Sequence, residues 1–230
     1  MPFAELAAAI DILGDAPSPN VRPSWNTAPT QDMLVVSLHP ETRRGIAEKM
    51  HWGLIPRWSR EPKMTYPTFN AKAETIDALA SFKAPWREGK RCLVITEGFY
   101  EWKKGKRNPK IKQPYAIARA KSKLTVMAGL WEIWRDRQTG EVIKSCTIIT
   151  ITSNDLIAPL HDRMPVILHE DDWPKWLGKE PATVAELKAL LRTYPSQDME
   201  LWPVGSRIGN VRNNDPDLLT PVEVDPDEFG

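Results

Sequence analysis

At 230 residues, with 41% hydrophobic and 27% charged residues, the chain has the make-up of an ordinary soluble protein with a substantial core. No apolar run approaches the roughly 20 residues of a membrane span, and the N-terminus lacks the basic start and apolar stretch of an export signal, so a cytoplasmic location is expected. With a net charge of only +1, a nucleic-acid partner would have to be held by a local basic patch.

In chain order, Phe3 to Leu13 reads as a short amphipathic helix, ended by Gly14 and the proline-rich stretch Pro17 to Pro23. Met33 to Leu38 and Ile46 to Trp52 form a strand pair. The segment Pro56 to Pro67 is irregular around Trp58, and Asp77 to Phe82 is a helical turn stopped before Pro85. Cys92 to Thr96 is a compact apolar strand leading into Gly98. Pro114 to Ala118, Leu124 to Leu130 and Lys144 to Thr152 are further strands, the last two separated by a turn at Thr139-Gly140; Val166 to Leu168 is another. Thr183-x-x-Glu186 is a capping box opening a helix through Leu191. Met199 to Val204 extends again, and the acidic tail from about 215 to 230 is expected to fray.

Strands dominate the middle, without the strand–helix alternation of a parallel doubly wound sheet. The predicted fold is α+β: one domain, 1–230, with a bent, partly barrel-like antiparallel sheet flanked by short helices. Cys92 and Cys146 lie in apolar strands without Cys-x-x-Cys spacing, which favours buried thiols over a disulfide. Four scattered histidines give no metal-ligand spacing, so neither metal nor other cofactor is expected.

Three short segments hold polar groups among aromatics, glycines or prolines. Glu101 lies between Tyr100 and Trp102, where flanking rings would desolvate its carboxyl and suit it to acid–base work; a surface glutamate on a hairpin is the plainer alternative. His161 opens His161-Asp162-Arg163-Met164-Pro165, with Pro159 and Pro165 stiffening the loop and aiming its imidazole into a cleft; a histidine bonded to a loop carbonyl is the plainer alternative. Asn70 stands in a loop entered from Pro67, where its amide could orient a substrate or satisfy backbone groups. The basic run from Lys103 to Lys112 could track a phosphate backbone or be a solvated hairpin tip. Among the ten tryptophans, Trp25, Trp52, Trp58, Trp86 and Trp102 lie near prolines or charges, a pattern equally suited to an aromatic cleft and to a core.

Taken together these segments resemble the SRAP family of abasic-site processing proteins. Trp25-Asn26-Thr27-Ala28-Pro29, Trp52-Gly53-Leu54-Ile55-Pro56 with Trp58, Asn70-Ala71-Lys72-Ala73-Glu74-Thr75, Gly98-Phe99-Tyr100-Glu101-Trp102, His161 to Pro165 and Ile208-Gly209-Asn210-Val211 follow the family's motifs in order. The resemblance implies recognition of abasic sites in single-stranded DNA and a covalent protein–DNA crosslink that shields the lesion during the DNA damage response. The family's nucleophile is a cysteine directly after the initiator methionine, whose α-amine attacks the sugar aldehyde and whose thiol closes a thiazolidine. By match, Glu101 is the acid–base residue, His161 stabilises the opened sugar and assists reversal, and Asn70 positions the reacting N-terminus. Asn26, Pro29, Trp58, Lys72, Trp102 and Arg163 line the DNA cleft. The expected protein is a monomer, associated with the nucleoid when bound to DNA.

This chain begins Met1-Pro2-Phe3 where the family has Met-Cys. The expectation is that the family's extreme N-terminus is absent and that Phe3 to Leu13 is its first helix. Pro2 or Lys72 could offer a substitute amine. Two other functions stay open: a single-stranded DNA-binding module without catalysis, and an autoproteolytic cysteine peptidase.

Overall fold

The computed structural model describes residues 22–39, 41–122 and 124–229. Pro2 and the helix expected over Phe3 to Leu13 lie outside the described residues. Five strands close into a barrel: β1 (Asp32–Leu38), β2 (Gly45–Trp52), β4 (Arg91–Thr96), β7 (Thr125–Arg135) and β8 (Val142–Thr152), in the order β2-β1-β4-β7-β8. Neighbours pair antiparallel, and β8 returns to β2 in a short parallel contact through His51↔Ser145 and Trp52↔Cys146. Eleven-residue β8 is long enough to serve several partners. Beyond the closure it pairs parallel with β3 (Asn70–Lys72), and antiparallel with β9 (Arg163–Pro165). The α+β, barrel-like reading is thus borne out, with parallel pairings confined to β8.

Side chains alternate across each strand, and that alternation divides the core. Val35, Met50, Cys92, Val94, Met127, Trp131, Cys146 and Ile148 form one buried cluster made of strand residues alone, the barrel interior. Val36, Leu93, Ile95, Val126 and Ile149 face the other way, into a second cluster roofed by α1 (Ala80–Arg87), α2 (Trp173–Leu177) and α3 (Val184–Leu190). Both cysteines are free and buried in the interior. Burial drives the Cys146 thiol up to about 12 and raises that of Cys92 as well, so neither supplies a thiolate.

The interior leaves no room at Gly129. A Cβ there would lie 2.8 Å from Thr147 O, 2.9 Å from Cys92 Sγ and 3.1 Å from a Val94 methyl. Gly129→Ala should therefore cost about 1–3 kcal/mol through overpacking, read as a lower urea midpoint at unchanged slope.

A second, three-stranded antiparallel sheet joins β5 (Phe99–Lys104), β6 (Lys112–Arg119) and β10 (Met199–Pro203) in the order β10-β6-β5. Four elements depart from the sequence reading. Val166 to Leu168 was read as a strand, but the strand beside β8 is β9, and only Ile167 forms a bridge, to Met127. The helix expected to stop before Pro85 runs through it, because Phe82, Pro85 and Trp86 fall on one face and bury together; that burial offsets the backbone bond a proline cannot make. Asn70 was read in a loop, yet it opens a strand held by β8. The tail expected to fray instead folds back. Its last turn, α4 (Pro226–Phe229), buries Glu228 and Phe229, and Lys106 N and Asn108 N donate to the Glu228 carbonyl and carboxylate. The capping box at Thr183 and Glu186 forms as expected.

Candidate functional site

Glu101 stands on β5, paired across the ladder with Tyr115. The strand reaches this place through a sharp corner at Gly98, where a Cβ would sit 2.5 Å from Ile117 O. Successive residues of a strand point to opposite faces, so Tyr100 and Trp102 do not flank Glu101 in space. Its face is shared with Phe99, which packs against both the barrel interior and the Ile117–Met164 cluster. Burial raises the Glu101 carboxyl above its ordinary range. The facing His161 opposes this rise and Asp162 adds to it, so Glu101 and the histidine loop share one electrostatic environment. The direction of the shift agrees with the sequence reading, but the desolvation comes from tertiary packing rather than from adjacent rings.

The histidine loop is built from its backbone. His161 N donates to Ile157 O at 3.1 Å, and Arg163 N donates to His161 Nδ1 at 3.0 Å. Nδ1 also lies 3.2 Å from Arg163 O, so this nitrogen meets both the N–H and the carbonyl of Arg163. About half of the imidazole is exposed, with Asp162 Oδ1 3.3 Å from Nδ1. Ser153 N donates to Asp162 O, so the loop is pinned where β8 ends.

Arg163 ties this loop to β3. Its two terminal nitrogens donate to Glu74 Oε1 and Oε2 at 2.8 and 2.9 Å, and Nη2 also reaches Thr150 O at 2.5 Å. The fork matches a carboxylate bidentately. It holds the Glu74 carboxyl below its usual range, with a smaller pull from Lys72. On β3, Asn70 and Lys72 are exposed on one face while Ala71 is fully buried on the other. Trp52 Nε1 donates to Phe69 O at 2.8 Å and Leu54 N to Thr68 O, which sets the start of that strand. Glu101, His161, Arg163, Glu74 and Lys72 thus form one linked charge cluster, and Asn70 shares the face of Lys72.

The remaining expected residues are placed differently. Asn26 is buried, and its Nδ2 donates to Ile208 O, Asn210 O and Asn213 O, each at 3.1 Å. Its amide nitrogen, assigned to the DNA cleft by the resemblance, is engaged within the protein. Trp25 N donates to Asn214 Oδ1, and Tyr100 OH to Trp25 O at 2.8 Å. The motifs around Asn26 and Asn210 are therefore each other's packing partners, set against β5. Pro29 precedes Thr30, whose φ of 75° is uncommon for a β-branched residue; Thr30 N donates to Trp52 O, fixing the turn. Trp58 is half exposed, with Nε1 donating to Ala80 O at 3.4 Å. Trp102 is 37% exposed, on the opposite face of β5 from Glu101. In the basic run, Lys103 Nζ donates to Phe229 O at 2.6 Å, and Arg107 lies 3.5 Å from Asp227. Sequence reasoning gave no role to Glu74 or Thr30 and read Tyr100 only as a ring beside Glu101. Glu74 carried a signal, as the acid in the Asn-Ala-Lys-Ala-Glu-Thr segment.

Comparison with known proteins defines the class. The family model of SRAP, the SOS response associated peptidases, matches residues 2–211, and the chain belongs to that family. Among curated relatives it is similar to the abasic site processing protein YoqW of Bacillus subtilis, 38% identical over 217 residues, or 94% of each chain. It is also similar to the abasic site processing protein HMCES of Gallus gallus, 32% identical, covering 88% of this chain and 67% of the relative. A crystal structure of a protein from Bacteroides thetaiotaomicron superposes with a TM-score of 0.72 at 29% identity, covering 84% of this chain and 82% of that one. No helix among the described residues is long and apolar enough to cross a membrane.

Proposed function

We propose that this chain recognises abasic sites in single-stranded DNA and joins itself covalently to them, with Glu101 and His161 moving the protons. The observation that carries this reading is the raised Glu101 carboxyl facing His161, next to the Arg163, Glu74 and Lys72 cluster. A carboxyl with a raised pKa holds a proton it can give to the sugar ring oxygen as the ring opens to the aldehyde. As carboxylate, it can take a proton from the attacking amine. His161 stabilises the opened sugar. Lys72, beside Asn70 on β3, offers a positive charge to the flanking phosphates, and Asn70 positions the incoming amine. Arg163, already bonded to Glu74, holds the histidine loop in register. Trp58 and Trp102 offer exposed rings for base stacking. The lyase-like reversal and the self-processing removal of the initiator methionine belong to the same reading, as do a monomer, a cytoplasmic location and a reaction without metal.

The test is a denaturing gel with an abasic single-stranded oligonucleotide, run with this chain and with the chain extended upstream to a Met-Cys start. A band that survives denaturation with the extended chain is expected. A band with both chains assigns the amine to Pro2 or Lys72. A band with neither, while reversible DNA binding persists, replaces crosslinking with recognition alone.

A further inference from the structure

Two guanidinium groups meet at the other end of the barrel from the Glu101 strand. Arg91 opens β4, and the far end of that six-residue strand leads through Gly98 to β5; at about 3.3 Å per residue the two ends stand roughly 17 Å apart. Arg91 Nε donates to Trp176 O, and its guanidinium lies over the Trp176 ring, 5.9 Å from the centroid. Arg43 comes from the β1–β2 turn with a φ of 57°, and its Nη2 donates to Gly178 O at 2.5 Å. A Cβ on Gly178 would lie 3.2 Å from Nη2 of each arginine, so the two terminal nitrogens lie within about twice that distance of each other. Burial and the neighbouring Arg43 charge both weaken the hold of Arg91 on its proton.

Like charges held this close repel unless an anion lies between them. Among the described residues neither arginine forms an ion pair, and beyond these backbone bonds their terminal nitrogens make no hydrogen bond. Glu88, the nearby acid, is engaged by Arg57 and Lys90. Arg91 also lines an open cavity of about 380 Å³ with Arg87, Glu88, Trp86, Ala182, Val184 and Leu187. A single guanidinium satisfies a carboxylate, whereas two guanidiniums fixed by backbone bonds suit a tetrahedral anion with more oxygens.

We propose that Arg43 and Arg91 form a phosphate-binding fork, separate from the Glu101–His161 site, with the adjoining cavity taking the group attached to the phosphate. The phosphate can come from a DNA backbone or from a free phosphorylated small molecule, and the experiment separates the two.

Thermal unfolding is measured in inorganic phosphate and in chloride at matched ionic strength, for the wild type, Arg43→Gly and Arg91→Gln. Glycine suits the backbone at 43, so this variant keeps its fold even if loss of the Trp176 contact disturbs Arg91→Gln. The wild type should gain a phosphate-specific rise in Tm, and Arg43→Gly should need at least about tenfold more phosphate for the same rise. A second arm measures binding of short and long undamaged single strands. A defect in Arg43→Gly that grows with strand length assigns the DNA backbone; unchanged DNA binding at both lengths assigns a free phosphorylated ligand. A wild type without a phosphate-specific rise, or an Arg43→Gly variant responding as the wild type does, overturns the site. In forms beginning Met-Cys, crosslinking of a short abasic oligonucleotide should be the same in all three proteins, so failure here is distinct from failure of the abasic-site reading.

Discussion

Glu101→Gln, placed in a form of the chain that begins Met-Cys, should slow crosslinking to abasic DNA by about 10²–10⁴-fold, the usual contribution of a general acid–base group. Affinity for undamaged single strands should hardly change, because Gln keeps the shape of the side chain and leaves the exposed cations in place. The same variant has a stability signature of opposite sign. Burial raises the Glu101 carboxyl in the folded state, so the folded protein binds this proton more tightly than the unfolded chain does. Its contribution to stability is fully present below the unfolded pKa and is lost as pH rises through the folded pKa. Above the ordinary carboxylate range that contribution declines with rising pH, whereas Gln does not titrate. Glu101→Gln should melt higher than the wild type at pH 7, with the gap closing as pH falls into the ordinary carboxylate range. Paired melting curves across that range check it. A variant that melts lower at pH 7 and crosslinks at the wild-type rate would remove Glu101 from the chemistry.

Asn26→Asp should be among the most destabilising single-atom changes available to this chain. Aspartate has the outline of asparagine but no N–H donor, and it would set a buried negative charge against the carbonyls of Ile208, Asn210 and Asn213. Three carbonyls lose their donor together, and an unpaired buried charge costs about 3–5 kcal/mol. Urea unfolding should show a loss of that size at neutral pH, reduced in acid, where the protonated side chain regains one donor. The effect should reach DNA binding only through loss of folded protein. Unchanged stability with weakened DNA binding would return Asn26 to the DNA cleft.

Both predictions separate a proposed role in chemistry from one in holding the fold. In sequence, Glu101 stood out beside its aromatic neighbours and Asn26 through the family motif that begins at Trp25. Nothing local separates an amide facing three carbonyls from a carboxyl facing a histidine, since the deciding partners lie far along the chain. The same holds for Arg163 and Glu74, which are 89 residues apart. The basic hairpin read as one unit, yet the structure engages its first lysine and Arg107 with the C-terminal turn.

Short-range patterning determined much by itself. Apolar and β-branched runs marked β1, β2, β4, β6, β8 and β10 close to their observed bounds, and the Thr183 capping box marked α3, because these signals lie within a few residues of one another. β3 and β5 were not marked as strands, being short or carrying charged residues along their length. The tertiary structure alone decided how β8 closes the barrel, that Pro85 stays within a helix, and that the tail folds back. It also decided which polar side chains share a site. The physical reason is common to all of these: each depends on burial against a surface assembled from distant segments, and local sequence does not specify which segments those are.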